Sequence, residues 1–287
     1  MRAIYRRELK SYFNGIAAYI FIAFILLFVG IYTWSYNLNG KLPFFEYVLA
    51  NVGFVFMLIV PILTMRVISE EKKQRTDKLL YSLPLSTTQI VMGKYLAMLT
   101  VFAIPIGVMC FYPLILSRFG YIEFVTTYGS IFAFFLQGAA LIAIGMFLSS
   151  LTENQIVAAV LTFAVVLVSY FMYSLASLIS ASATMSLIAF SVLIAAIGGG
   201  AWLATKKPMF GLCIFGLLEI PLLAIFVIKP ALLEGSFQTL IKNISVFNRL
   251  YSFIDGVFDL VGIVFFLSVI FLFVFLTVQS LEKRRWS

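Results

Sequence analysis

From residue 154 to residue 205 the chain runs for 52 positions without a single charged side chain. One bilayer crossing takes about 20 apolar residues in a helix. That stretch is too long for one crossing, so it predicts two helices and a bend. The small polar cluster at 180–186 supplies the bend. Residues 11–40 are likewise free of charge. Applied along the chain, the same length rule predicts spans at about 16–36, 47–67, 95–117, 128–150, 156–179, 187–205, 210–228 and 260–280. With 63% hydrophobic and 11% charged residues, no water-soluble domain fits. The fold class expected is an all-α polytopic membrane protein of about eight transmembrane helices. Six spans plus a re-entrant hairpin is the alternative, because the sixth run is short and carries Gly198-Gly199-Gly200.

The few charges then fix orientation. Of the 20 Lys and Arg residues, 15 fall on one set of termini and turns: Arg2, Arg6, Arg7, Lys10, Arg66, Lys72, Lys73, Arg75, Lys78, Lys94, Lys206, Lys207, Lys283, Arg284 and Arg285. The other five are Lys41, Arg118, Lys229, Lys242 and Arg249. The positive-inside bias puts both termini in the cytoplasm of a cell membrane and requires an even number of spans. It also explains the net charge of +8 without nucleic acid as a partner.

Three polar segments stand out, all expected within a single transmembrane domain. Residues 1–15 place Tyr5, Leu9, Tyr12 and Ile16 at helical spacing with cations opposite, which predicts an interfacial helix along the inner leaflet. Residues 229–259 form an outer amphipathic segment. There Leu240, Ile244, Phe247, Tyr251, Ile254 and Phe258 predict one apolar stripe on a helix that rests on the outer leaflet or, alternatively, dips between spans and closes the outer mouth of a pathway. The third segment, 66–94, is the only long charge-dense stretch between spans. It predicts a cytoplasmic hairpin over 68–92. A first helix from Ile68 to about Tyr81 would carry a Glu71–Arg75 pair at the favoured spacing and stop at Pro84. A second helix would start at Ser86, with Gln89 as capping partner. A solvated loop would need none of these features, so the hairpin reads as a docking element.

Catalytic chemistry is not expected. The chain lacks histidine, the commonest general base and metal ligand, and has no metal-spaced cluster and no phosphate-cradling Gly-x-x-x-x-Gly-Lys-Ser/Thr. No cofactor is implied. Cys110 and Cys213 lie in apolar runs nearer opposite faces of the bilayer, so no disulfide is expected. Among intramembrane polar groups, Glu219 reads either as a proton or cation site or as a carboxyl hydrogen-bonded to another helix. Gln137 reads as interhelical glue. With no charged cleft in the spans, any cargo leans apolar or amphipathic.

The run Pro61-Ile62-Leu63-Thr64-Met65-Arg66, then Ser69-Glu70-Glu71-Lys72, Thr76, Leu79-Leu80, Pro84-Leu85-Ser86 and Gly93-Lys94, resembles the signature of type-2 ABC transporter permeases. The likeness is to the branch that includes gliding-motility-associated and nitrous-oxide-reductase-maturation permeases. Arg6–Phe13, Ser150–Gln155 and Leu281–Trp286 agree with it. The resemblance implies that residues 1–15 are an elbow helix and that 68–83 is a coupling helix seated on a separate ATP-binding-cassette ATPase. Its contacts would be Glu70, Glu71, Arg75, Thr76, Asp77, Leu79, Leu80 and Pro84. It further implies a second permease copy or paralogue, surrounding membrane lipid, transport in the direction of export, and a bacterial setting. The chain departs from the pattern at Arg75-Thr76-Asp77-Lys78, where the family's acid is displaced by one position. It also exceeds the usual six spans by the pair at 187–228. Two other classes predict different behaviour: a stand-alone carrier or channel using Glu219, and a non-transporting scaffold.

Overall fold

The computed structural model describes residues 1–76 and 86–285. Among them there is no strand, and eight helical segments are long and apolar enough to cross a membrane. The elements are α1 (Arg2–Asn14), α2 (Ala17–Tyr32), α3 (Glu46–Val52), α4 (Phe56–Thr64), α5 (Ser69–Lys73), α6 (Thr87–Met109) and α7 (Phe111–Leu116). They continue as α8 (Phe124–Leu151), α9 (Gln155–Leu178), α10 (Ala183–Thr205), α11 (Pro208–Ile228), α12 (Ser236–Ile244), α13 (Asn248–Ile254) and α14 (Leu260–Arg285). The protein is a multi-pass membrane protein with eight candidate spans, and the 52-residue uncharged run does divide at residues 179–182. There Ser182 caps α10 by accepting the Met185 N–H.

Two compact units are present. The larger comprises Met1–Tyr170 and Val246–Ser287, the smaller Phe171–Ser245.

In the larger unit α14 lies along α8, and α8 also meets α4, α6 and α13. The centre is aromatic. Phe56 and Phe134 are 4.7 Å apart, and Phe102 stacks on Phe135 at 5.6 Å. Gly138 makes this packing possible, because a Cβ there would fall 2.3 Å from the Phe102 ring. Apolar helices gain little from hiding in one another when lipid is the solvent, so close packing of this kind is what holds them. The second span is not smooth. A 3₁₀ turn at Gly53–Val55 interrupts it, whereas Pro61 sits inside α4. The first span ends in a π-helical segment, Thr33–Asn39.

The hairpin differs from expectation. Its first helix, α5, ends at Lys73, and Arg75 adopts a left-handed conformation (φ 55°) that a helix cannot continue through. Asp77, Leu79, Leu80 and Pro84 lie outside the described residues. Among the described residues the second helix is not separate from the third span: α6 runs unbroken from Thr87 through it. Its cap is as expected, with Ser86 Oγ accepting the Gln89 N–H at 3.2 Å.

The outer segment also differs. Leu240 and Ile244 belong to α12 in the smaller unit, while Tyr251 and Ile254 belong to α13 in the larger. They do not share one stripe. The chain breaks at 245–247, and α13 buries Leu250, Phe253 and Ile254 instead. Ser130 of α8 donates to the Phe253 carbonyl at 3.0 Å. This half of the segment therefore packs on the bundle.

The smaller unit is built round the α10–α11 pair. A Cβ on Gly211 would lie 2.6 Å from the Gly198 carbonyl oxygen, and one on Gly198 would lie 3.1 Å from that of Gly211. The two backbones touch, as small residues allow in membranes.

Candidate functional site

The site grows from the end of the second span. Four elements converge there: α1, the α4–α5 junction, α5 and the start of α6. Gly93 admits α1, with the Ile4 side chain only 3.1 Å from where a Cβ would stand. The next residue, Lys94, is 1% exposed and uses all three ammonium donors. They reach Glu71 at 2.8 Å, the Val67 carbonyl at 2.9 Å and Glu8 at 3.2 Å. Arg7 closes the ring, at 2.6 Å from Glu8 and 2.7 Å from Glu71. Two cations thus meet two carboxylates in a neutral knot.

Charge at this depth survives only when paired and hydrogen-bonded. Burial disfavours the Glu8 carboxylate, yet the Lys94 ammonium and the Arg7 guanidinium outweigh it and hold its pKa below the usual carboxylate value. Burial likewise opposes the Arg7 charge, and Glu8 and Glu71 reverse that, raising its pKa. Burial pushes the Tyr12 hydroxyl well above its ordinary pKa. It stays a donor and binds the Leu63 carbonyl at 2.9 Å, while Tyr5 meets Thr100 at 3.0 Å. Of the predicted apolar stripe, Tyr5 and Tyr12 are therefore spent on the third and second spans, whereas Ile16 lies beyond α1 and is exposed.

A second set of contacts holds α5 from the other side. Lys72, 5% exposed, donates to the Ser150 carbonyl at the end of α8. Ser149 Oγ accepts the N–H groups of Ile68 (3.3 Å) and Ser69 (3.2 Å). Ser280 of α14 also reaches the Ser150 carbonyl, and Arg284 pairs with Glu153 at 2.7 Å.

The proposed coupling residues separate into groups. Glu71 turns inward to Lys94 and Arg7 rather than to Arg75. Glu70 pairs with Arg66 at 2.9 Å along the helix. Arg75 is exposed, and Thr76 Oγ1 lies 3.4 Å from the Glu71 carbonyl, where the α5 turn ends. Asp77, Leu79, Leu80 and Pro84 remain outside the described residues. Glu219 accepts from Ser191 at 2.6 Å, and its second oxygen is buried without a hydrogen bond among the described residues. Gln137 is fully buried, and neither amide atom finds a partner among the described residues. The hydrogen bonds expected of it as glue are absent from that set.

Lys94, Glu8 and Arg7 were not predicted as site residues. The only signal was the pairing of Gly93-Lys94 with an acid-bearing N-terminal helix. Glu46 was also missed. It lies one residue before the predicted second span, yet it opens α3, is 4% exposed and accepts from Thr127 at 3.1 Å. Among the described residues no cluster of His, Cys, Asp or Glu could hold a metal.

Membrane-length helices with a polar root tied to an N-terminal helix define a polytopic membrane protein. Residues 35–193, more than half of the chain, match the family described as ABC-2 family transporter protein, and the chain belongs to that family. It is thus the membrane component of an ABC transporter, a family whose membrane domains lack a catalytic site and normally work with an ATPase subunit. No curated protein matches the chain.

Proposed function

We propose that the protein is the permease subunit of an ATP-driven exporter in a bacterial cell membrane. In this reading both termini and the 68–92 hairpin are cytoplasmic, and a separate ATP-binding-cassette subunit docks on the hairpin. A second permease copy or paralogue completes the assembly. The branch affinity suggested by the hairpin motif belongs to the same proposal. The observation that carries it is the knot. Lys94 ties the hairpin root to the second span through the Val67 carbonyl, to the third span through its own backbone, and to the elbow through Glu8. A push on the hairpin would therefore move two spans and the elbow together.

The coupling roles divide accordingly. Exposed Arg75 and half-buried Glu70 would face the ATPase, and the same role is proposed for Asp77, Leu79, Leu80 and Pro84, which lie outside the described residues. Glu71 would transmit rather than dock. The experiment is affinity recovery of the detergent-solubilised protein from its native membrane, with ATPase activity then measured on the complex. The expected result is a co-purifying ATPase. Arg75→Glu should weaken its recovery, whereas Glu71→Gln should keep the ATPase bound but lower transport per ATP hydrolysed. An intact permease that recovers no ATPase overturns the reading. So does substrate movement without ATP that Glu219→Gln abolishes, which is the ion-coupled carrier's signature.

A further inference from the structure

The α10–α11 pair has no counterpart in a six-span permease, and the coupling site does not use it. Two of its glycines are explained by the crossing: side chains at Gly198 or Gly211 would drive into backbone or into Trp202. The third is not. A Cβ on Gly199 would meet nothing within 4 Å, so this glycine leaves space rather than permitting a contact. That space is a groove of about 370 Å³ within the smaller unit, inside the roughly 300–1,000 Å³ range of small-molecule sites. Gly198, Gly199 and Gly211 form its floor, with Trp202, Leu212 and Phe215 as walls.

The groove is apolar along its length and ends at Pro208, the first residue of α11. Immediately before Pro208 lie Lys206 and Lys207, both exposed. Lys206 ends α10 in a left-handed conformation (φ 56°), its N–H bonded to the Trp202 carbonyl at 2.8 Å. An apolar slot, a tryptophan and a pair of lysines at one end match the order of an amphiphile's parts: chain, interface, negative head. Only 6% of the α11 span is buried by protein, which leaves the slot open to lipid from the side.

We propose that this groove holds one acyl chain of an anionic phospholipid, with its phosphate at the Lys206–Lys207 turn. The site is distinct from the ordinary lipid annulus in being concave and charge-selective. It gives the extra helix pair a function that does not depend on the ATP-coupled reading.

Trp202 reports on the site directly. The sequence contains three tryptophans; Trp34→Phe with Trp286→Phe leaves Trp202 alone. This protein would be placed in phosphatidylcholine vesicles containing a few mole per cent of either dibrominated phosphatidylglycerol or dibrominated phosphatidylcholine. Bromine quenches tryptophan only on close approach. The expected result is half-maximal quenching at about tenfold lower mole fraction for the anionic lipid. Gly199→Leu, which fills the groove without a clash, should remove the difference. Gly216→Leu, a control on α11 where a Cβ also meets nothing within 4 Å, should retain it. Lys206→Gln with Lys207→Gln should equalise the two lipids while leaving the helices intact by circular dichroism. Equal quenching by both lipids in the parent overturns the proposal, as does no quenching, the result if a second copy of the chain fills the groove. Undiminished selectivity in Gly199→Leu overturns it too.

Discussion

The hairpin root and the α10–α11 pair solve the same problem by opposite means. At the root, charges are buried and neutralised: Lys94, 1% exposed, is held by two carboxylates and a carbonyl. In the α10–α11 pair, side chains are removed so that backbones meet at Gly198 and Gly211, and the Ser191–Glu219 hydrogen bond spans the helices. The surroundings differ to match. Of the α8 span, which runs through the larger unit, 78% is buried, against 6% of the α11 span. An element enclosed on all sides can hold ions, because its neighbours supply the partners that water would otherwise provide. An element facing lipid on most sides has few partners to offer, so it relies on close approach. A charge network is also directional, which suits the displacement-passing role proposed for the root.

The contrast can be broken in four ways. The largest effect should come from Glu8→Gln with Glu71→Gln, which strands the Lys94 ammonium on one carbonyl. Uncompensating a buried charge costs about 3–5 kcal/mol, read as a fall in unfolding midpoint in detergent. A midpoint equal to the parent's would show that packing, not charge, holds the root. Next, Gly211→Leu should force α10 and α11 apart at a cost of about 1–3 kcal/mol, the usual scale of overpacking. Cross-linking between cysteines placed on the two helices would report the separation, and unchanged cross-linking would remove the glycine argument. Third, Ser191→Ala should cost about 0.6 kcal/mol, the mean for interhelical hydrogen bonds in membranes. The same denaturation assay resolves it from the other two.

The smallest effect is in pH. The Glu8 carboxyl titrates lower in the folded protein than in the unfolded chain. Its contribution is therefore fully present above the unfolded value of about 4.3. It is lost as pH falls below that value and through the folded one. Glu8→Gln should flatten this acid limb without altering the limb contributed by other carboxylates. A parent and variant with superimposable profiles below pH 4.5 would remove Glu8 from the knot.

Much of this was legible in the chain. The division of 154–205 into two helices followed from run length against bilayer thickness, and the Ser86 cap from its spacing to Gln89. The knot was not legible. Arg7 and Glu71 are 64 residues apart, and Glu8 and Lys94 are 86 apart; nothing local says that they meet. Glu71 and Arg75 had the right helical spacing to pair, yet α5 ends at Lys73 and tertiary partners took the carboxylate first. The outer stripe failed for a similar reason. Its period continues through residues 240–258, but a break at 245–247 assigns its halves to different units.

The sequence by itself determined which segments cross the membrane, because hydrocarbon admits only backbone that satisfies itself, and a helix does so from its own residues. Span number and the places where polar groups gather are local consequences of that rule. Only the tertiary structure decided which polar groups pair, where Gly93 and Gly138 let helices close, and where Gly199 leaves a space. Those outcomes depend on which faces of distant helices come together, and no window along the chain contains both faces at once.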